Sequence, residues 1–220
     1  MGTRNLTMVV KDGKYKVAQY GQWDGYPRGQ GVTVLNFLKN ADLNKFRQQV
    51  DKVVIFDGKS KGSKQMQDRV DKLFDRLNEG LRNSKTYDSQ EVAKKIFNAD
   101  EKLLYDCFTR DTCAKILNVI YEARAEAIPH FSELSFAADS LFCEWAYLVN
   151  LDTDELEVYV GFNKEPLKKG DRFKGLRRPS HCNKEYYPIR LLKTYKFSEL
   201  PSEKKFVKEL SKLAGEEDDE

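Results

Sequence analysis

The chain has 220 residues, of which 40% are hydrophobic and 33% charged, and its net charge is +3. That length allows one domain with a substantial core, and the composition excludes a disordered chain. The near-balanced charge argues against a dedicated nucleic-acid binder, no apolar run is long enough to span a membrane, and no apolar leader precedes a cleavage site, so the expected location is the cytoplasm.

Residues 6–10 read as a strand that turns at Asp12-Gly13, a pair suited to a two-residue hairpin turn with positive φ, and returns over 15–20. A glycine-rich loop follows. Helical spacing of Val32, Leu35, Phe37 and Leu38 predicts a helix over 32–39, and Asp42 caps a second through Gln49. Val53-Val-Ile-Phe56 is a short strand or buried segment before the basic loop DGKSKGSK, expected to be mobile. Helices are predicted over 65–78, over 89–98 behind Asp88, over 101–108 behind Asp100, and from Asp111 through Arg124, ending before Pro129. Strands over 145–151 and 156–162 flank the turn Asp152-Thr-Asp-Glu155, one more strand lies within 186–197, and a closing helix runs from Pro201 to Leu213. This order predicts an α+β fold: an antiparallel sheet, made of the N-terminal hairpin and the C-terminal strands, with a central helical block. Residues 1–214 form the single expected domain, and 215–220 an acidic tail that does not fold.

The four cysteines and two histidines lack chelating spacing, so neither metal nor cofactor is expected, and free, mostly buried thiols fit a reducing compartment.

The segment QYGQWDGYPRGQG, 19–31, concentrates groups suited to recognition: Trp23 and Tyr26 for stacking, Gln22, Asp24 and Arg28 for polar contacts, and glycines that let backbone approach a ligand. Gly29-Gln-Gly31 ahead of a helix loosely resembles an anion-binding helix N-terminus, although the spacing of neither nucleotide fingerprint is present. A ligand surface and an ordered structural loop both remain open. The hairpin register brings the chain start beside this loop, so Arg4 and Asp24 are expected to share a site. The basic loop 168–184, with Arg172, Lys174, Arg177, Arg178 and His181, suits either an anion or plain solvation.

The opening MGTRNL, the turn KDG, the loop QWDGYPRGQG and the segment EWAYLVNLD…LEVYVGFNKEP together resemble an uncharacterised protein family of bacteria and their phages. More distantly, Thr3, Asp12-Gly13 and Gln22-Trp23-Asp24 occupy places similar to those in N-terminal-nucleophile amidases of the choloylglycine-hydrolase type. That second resemblance implies an N-terminal-nucleophile-like fold. Gly2 stands where those enzymes carry the nucleophilic cysteine.

The expected function is therefore non-catalytic binding of a small anionic, nucleotide-like ligand by Arg4, Tyr20, Gln22, Trp23, Asp24, Tyr26, Arg28, Arg177 and Arg178. If the chain is phage-encoded, as the family resemblance implies, that ligand is a host immune signal sequestered in the host cytoplasm. Two alternatives are an amidohydrolase acting through the chain start and an interaction module acting through the helical block. A homo-oligomer is left open.

Overall fold

The structure is a computed structural model that describes residues 2–56, 61–180 and 182–215. The acidic residues 216–220, the start of the DGKSKGSK loop and His181 lie outside the described residues. Strands β1 (Asn5–Lys11) and β2 (Lys14–Gly21) form the expected hairpin, and Asp12 and Gly13 take φ +54° and +67° at its turn. The Asp152 carboxylate holds that turn, accepting the Asp12 and Gly13 N–H groups at 2.7 and 2.9 Å.

Helices α1 (Val32–Asn40) and α2 (Leu43–Asp51) follow, the second capped by the Asp42 side chain. Next come strand β3 (Val53–Phe56) and helices α3 (Lys61–Arg82), α4 (Ser89–Ile96) and α5 (Ala99–Phe108). Residues 61–64 open α3 and are not part of a loop. Asn98, not Asp100, caps α5, in a capping box with Glu101. The helix expected from Asp111 is shorter: a 3₁₀ turn at Cys113–Lys115 leads into α6 (Ile116–Glu122). Strand β4 (Ile128–Phe131) was not expected from the sequence and pairs in parallel with β3. Strands β5 (Trp145–Asn150), β6 (Glu155–Val160) and β7 (Arg190–Lys196) and helix α7 (Glu203–Ala214) complete the chain.

The α+β class read from the sequence is the class of the structure. The main sheet has the order β2-β1-β5-β6-β7. Its central pairing, β1 with β5, is parallel, so the sheet is mixed and not wholly antiparallel as expected. A parallel neighbour requires a crossover, and the whole helical block supplies it. One sheet face (Val9, Val17, Trp145, Tyr147, Leu156, Val158) packs on apolar residues of α1, α2, α6 and α7, such as Leu35, Phe46, Ile120 and Phe206. The other face (Leu6, Met8, Ala146, Leu148, Tyr159) is covered by irregular chain carrying Ala137, Phe173 and Ile189. Helices α3, α4 and α5 form a separate small core around Leu73, Leu77, Val92 and Tyr105. Each large side chain fully buried in these layers contributes about 1.5–3 kcal/mol. Among the described residues no helix is long and apolar enough to cross a membrane.

Candidate functional site

The glycine-rich loop is clamped at its foot. Gly25 N donates to Thr3 O at 3.0 Å, which joins the loop to the chain start. The buried Tyr147 hydroxyl donates to Gly25 O at 2.8 Å from beneath, and Gly31 lies so close over that ring that a Cβ there would meet the phenol oxygen at 2.9 Å. The Gln30 side chain bridges to Ala114 N and Trp23 O, and the Trp23 indole N–H donates to Asp111. Removing the clamp has a defined cost: Tyr147→Phe leaves the Gly25 carbonyl without this partner. It is expected to lose about 1 kcal/mol in urea unfolding and to open residues 22–30 to limited proteolysis.

Pro27–Gly31 forms one π-helical turn that runs into α1. Its N–H groups are already used: Gly29 and Gly31 donate to Tyr26 O, and Gln30 donates to Asp24 O. The anion-binding helix start suggested by Gly29-Gln-Gly31 is therefore not available, because the loop's own carbonyls occupy its donors.

The remaining candidate residues separate into groups. Trp23 is 47% exposed, and Tyr26 is exposed with the Arg28 guanidinium over its ring at 5.4 Å. Asp24 is exposed at φ +52°. The Arg4 guanidinium lies over the Phe142 ring at 4.7 Å, and no ion pair joins it to Asp24 among the described residues. The Tyr20 hydroxyl donates to Gln22 Oε1 at 2.6 Å. Arg178 is spent internally: it donates to the carbonyls of Asn183 and Tyr186 and lies over the Tyr187 ring. Arg177 is exposed.

Tyr20 also borders a cleft of about 320 Å³ at the edge of β2. Helix α3 contributes Val70, Asp71 and Phe74, α5 contributes Cys107 and Phe108, and Arg110, Phe131 and Glu133 complete the wall. Three phenylalanines thus face a space the size of a small planar ligand. Burial raises the Tyr20 pKa, and the charges of Arg4 and Arg110 oppose that rise, which puts both guanidinium groups within electrostatic reach of one phenol. Neither guanidinium makes an ion pair among the described residues, although the Arg4 backbone N–H donates to Glu144 Oε1 at 3.2 Å. Desolvation raises the Glu133 carboxyl pKa although the residue keeps an accessible face. Its carboxyl group is likewise unpartnered among the described residues, free to accept from a ligand's polar edge when ionised and to donate to it when protonated.

A second polar cluster lies on the sheet face under the irregular 161–189 segment. Glu157, 7% exposed, receives Arg172 in a two-pronged ion pair, the Tyr159 hydroxyl, and Asn150 Nδ2 at 2.9 Å. Burial pushes its carboxyl up, and these donors outweigh burial, so its pKa falls below the usual range. This network anchors the loop to the sheet, so Arg172 is committed inward.

The four cysteines are free and buried. Burial pushes the Cys107 thiol up to about 12 and also raises Cys113 and Cys143, so these thiols stay protonated and unreactive. Among the described residues no group of His, Cys, Asp and Glu could hold a metal ion.

Sequence reasoning missed Arg110, Glu133 and the three phenylalanines, because they come from α3, α5, β4 and the segments that follow α5 and β4, which only the tertiary fold brings together. It also missed Glu157: strand alternation showed that Glu157 faces away from Val158, but not that a distant loop covers that side. Comparison with models of known protein families, with curated proteins and with solved structures returned no match.

Proposed function

We propose that the protein binds a small nucleotide-like ligand without turning it over, with the ring in the Phe74–Phe108–Phe131 cleft and the anionic group at Tyr20, between Arg4 and Arg110. The observation that carries this reading is the aromatic cleft lined by Phe74, Phe108 and Phe131 together with Tyr20 and Arg110, whose guanidinium makes no ion pair among the described residues. Guanidinium groups grip phosphate through directed hydrogen bonds, and aromatic walls take a flat base. The charge layout supports the orientation. Asp71 and Glu133 line the cleft and would repel an anion placed beside them, whereas the Arg110 side favours it.

Support for binding over amide hydrolysis comes from the chain start. A Cβ at Gly2 would fall 2.3 Å from the Trp23 ring and 2.5 Å from Gln22 O, so the position where related-looking amidases carry a nucleophile has no room for a side chain here.

Thermal shift and calorimetry against AMP, ADP-ribose and cyclic dinucleotides test the proposal. At least one is expected to stabilise the protein, and Arg110→Ala and Tyr20→Ala each to weaken that ligand roughly tenfold, the loss of one charge-assisted contact. No shift with any of them at millimolar concentration overturns it.

A further inference from the structure

The near-neutral total charge hides a strong local excess. Residues 161–215 contain 15 Lys and Arg against six Asp and Glu, a net +9, whereas 216–220 contribute −5. Much of the excess sits between β6 and β7, where residues 161–189 contain no helix or strand among those described. A segment this long without regular structure is uncommon in a compact domain and usually serves a function. Here it is well anchored. Phe173 and Ile189 are buried against the sheet, and Arg172 is locked to Glu157. Apart from Arg178, which is bonded internally, its other cations face solvent: Lys164, Lys168, Lys169, Lys174, Arg177 and Lys184 are exposed and make no ion pair among the described residues.

This basic strap leads toward the cleft by way of the chain start. Arg110 and Tyr20 line the cleft, Tyr20 pairs across the hairpin with Leu6, two residues from Arg4, and Arg4 lies over Phe142, which is 44% exposed. The turn that carries Phe142 is bonded to the start of the strap, with Gly161 N donating to Glu144 O at 2.8 Å and Phe162 N to Ser140 O at 2.6 Å. Phe162 is 54% exposed at φ +51°, a backbone state that bulky residues rarely adopt. Beyond it, Lys164 lies over the Tyr186 ring at 5.4 Å.

The geometry points to a track for single-stranded nucleic acid, with bases stacking on Phe142, Phe162 and Tyr186, phosphates meeting Arg4 and the strap cations, and one end nucleotide in the cleft. Cations interleaved with exposed rings suit unpaired bases on a charged backbone. A bilayer surface would call for apolar side chains segregated from the cations. The inference rests on the proposed nucleotide reading of the cleft and extends it from a monomer to a polymer.

Fluorescence anisotropy with labelled dT15, set beside AMP calorimetry, tests it on the full chain. Single-stranded dT15 is expected to bind at least tenfold more tightly than AMP and than the matching 15-base-pair duplex. The Lys168→Ala/Lys169→Ala/Arg177→Ala variant, in which every altered side chain is exposed, is expected to lower the salt slope by about 2, as three lost phosphate contacts require. Phe162→Ala is expected to weaken dT15 roughly tenfold and to leave AMP unchanged. If AMP binds and dT15 is no tighter, the track is overturned and the cleft reading stands. If dT15 does not bind, the track is overturned, and if AMP, ADP-ribose and the cyclic dinucleotides also fail to bind, the cleft reading falls with it. Binding to phosphatidylserine vesicles without dT15 binding, or dT15 binding that the strap variants leave unchanged, also overturns the track.

Discussion

Arg172→Met is expected to lower the unfolding free energy by about 3 kcal/mol, the low end of what breaking a buried ion pair costs, because the arginine side chain keeps 26% exposure while its partner is 9% exposed. In a chain of this size that corresponds to a fall of roughly 6–12 °C in Tm. The loss arises because Glu157 is left as a buried carboxylate holding only Tyr159 and Asn150. In the wild type the donors hold the Glu157 pKa below its ordinary value, so their stabilisation is present above the ordinary carboxylate range and is lost as pH falls through the folded pKa. In Arg172→Met desolvation dominates and the pKa rises, so the deficit is greatest near neutrality and shrinks below about pH 5 as the carboxyl takes a proton. Urea unfolding at pH 7 and at pH 4.5 measures both values. A double variant, Arg172→Met with Glu157→Leu, is expected to recover more than half of the loss. An equal deficit at both pH values would show that lost packing, not the stranded charge, is responsible.

His130 sets the protein's acid limit. It is 1% exposed, its Nε2 accepts the Ala18 N–H at 3.0 Å, and its Nδ1 has no partner. A second proton would have to sit where the Ala18 N–H already points. Burial lowers its pKa from the ordinary 6.5 to about 4. Because the folded state resists protonation, the contribution is complete above pH 6.5 and is lost as pH falls from 6.5 to about 4. The expected total is about 3 kcal/mol. His130→Gln keeps an acceptor for Ala18 and cannot titrate, so its stability is expected to stay flat over that interval, apart from what the carboxylates contribute. Chemical denaturation from pH 7 to pH 4 compares the two proteins. Parallel curves would assign the acid sensitivity elsewhere.

These two residues show where sequence reading reaches its limit. Features written in adjacent residues were legible: the Asp12-Gly13 turn and the Asp42 and Asp88 caps. Features that depend on pairing between distant segments were not. Pro129 argued for a break, yet it sits in β4, which pairs with β3 across the whole helical block. His130 is an ordinary imidazole until that pairing places it under Ala18, and Glu157 is an ordinary outward residue until the strap covers it. The candidate site was legible in part. The loop's density of aromatic and polar groups drew attention to the end of the sheet that borders the proposed cleft, but most of those groups hold the loop in shape. The cleft beside it draws on Phe74, Phe108, Arg110 and Glu133, which no local pattern connects.

The parallel pairing of β1 with β5 has a consequence for how the chain is made. The hairpin emerges first during synthesis, but the strand that covers its inner edge begins at Trp145. At typical elongation speeds of ~5–20 residues per second, roughly 7–30 s separate the two. Throughout that interval β1 presents an open edge with Leu6, Met8 and Val10 uncovered, a template for pairing with other nascent chains. The N-terminal hairpin is thus a segment whose exposed edge is expected to lower the yield when expression is fast.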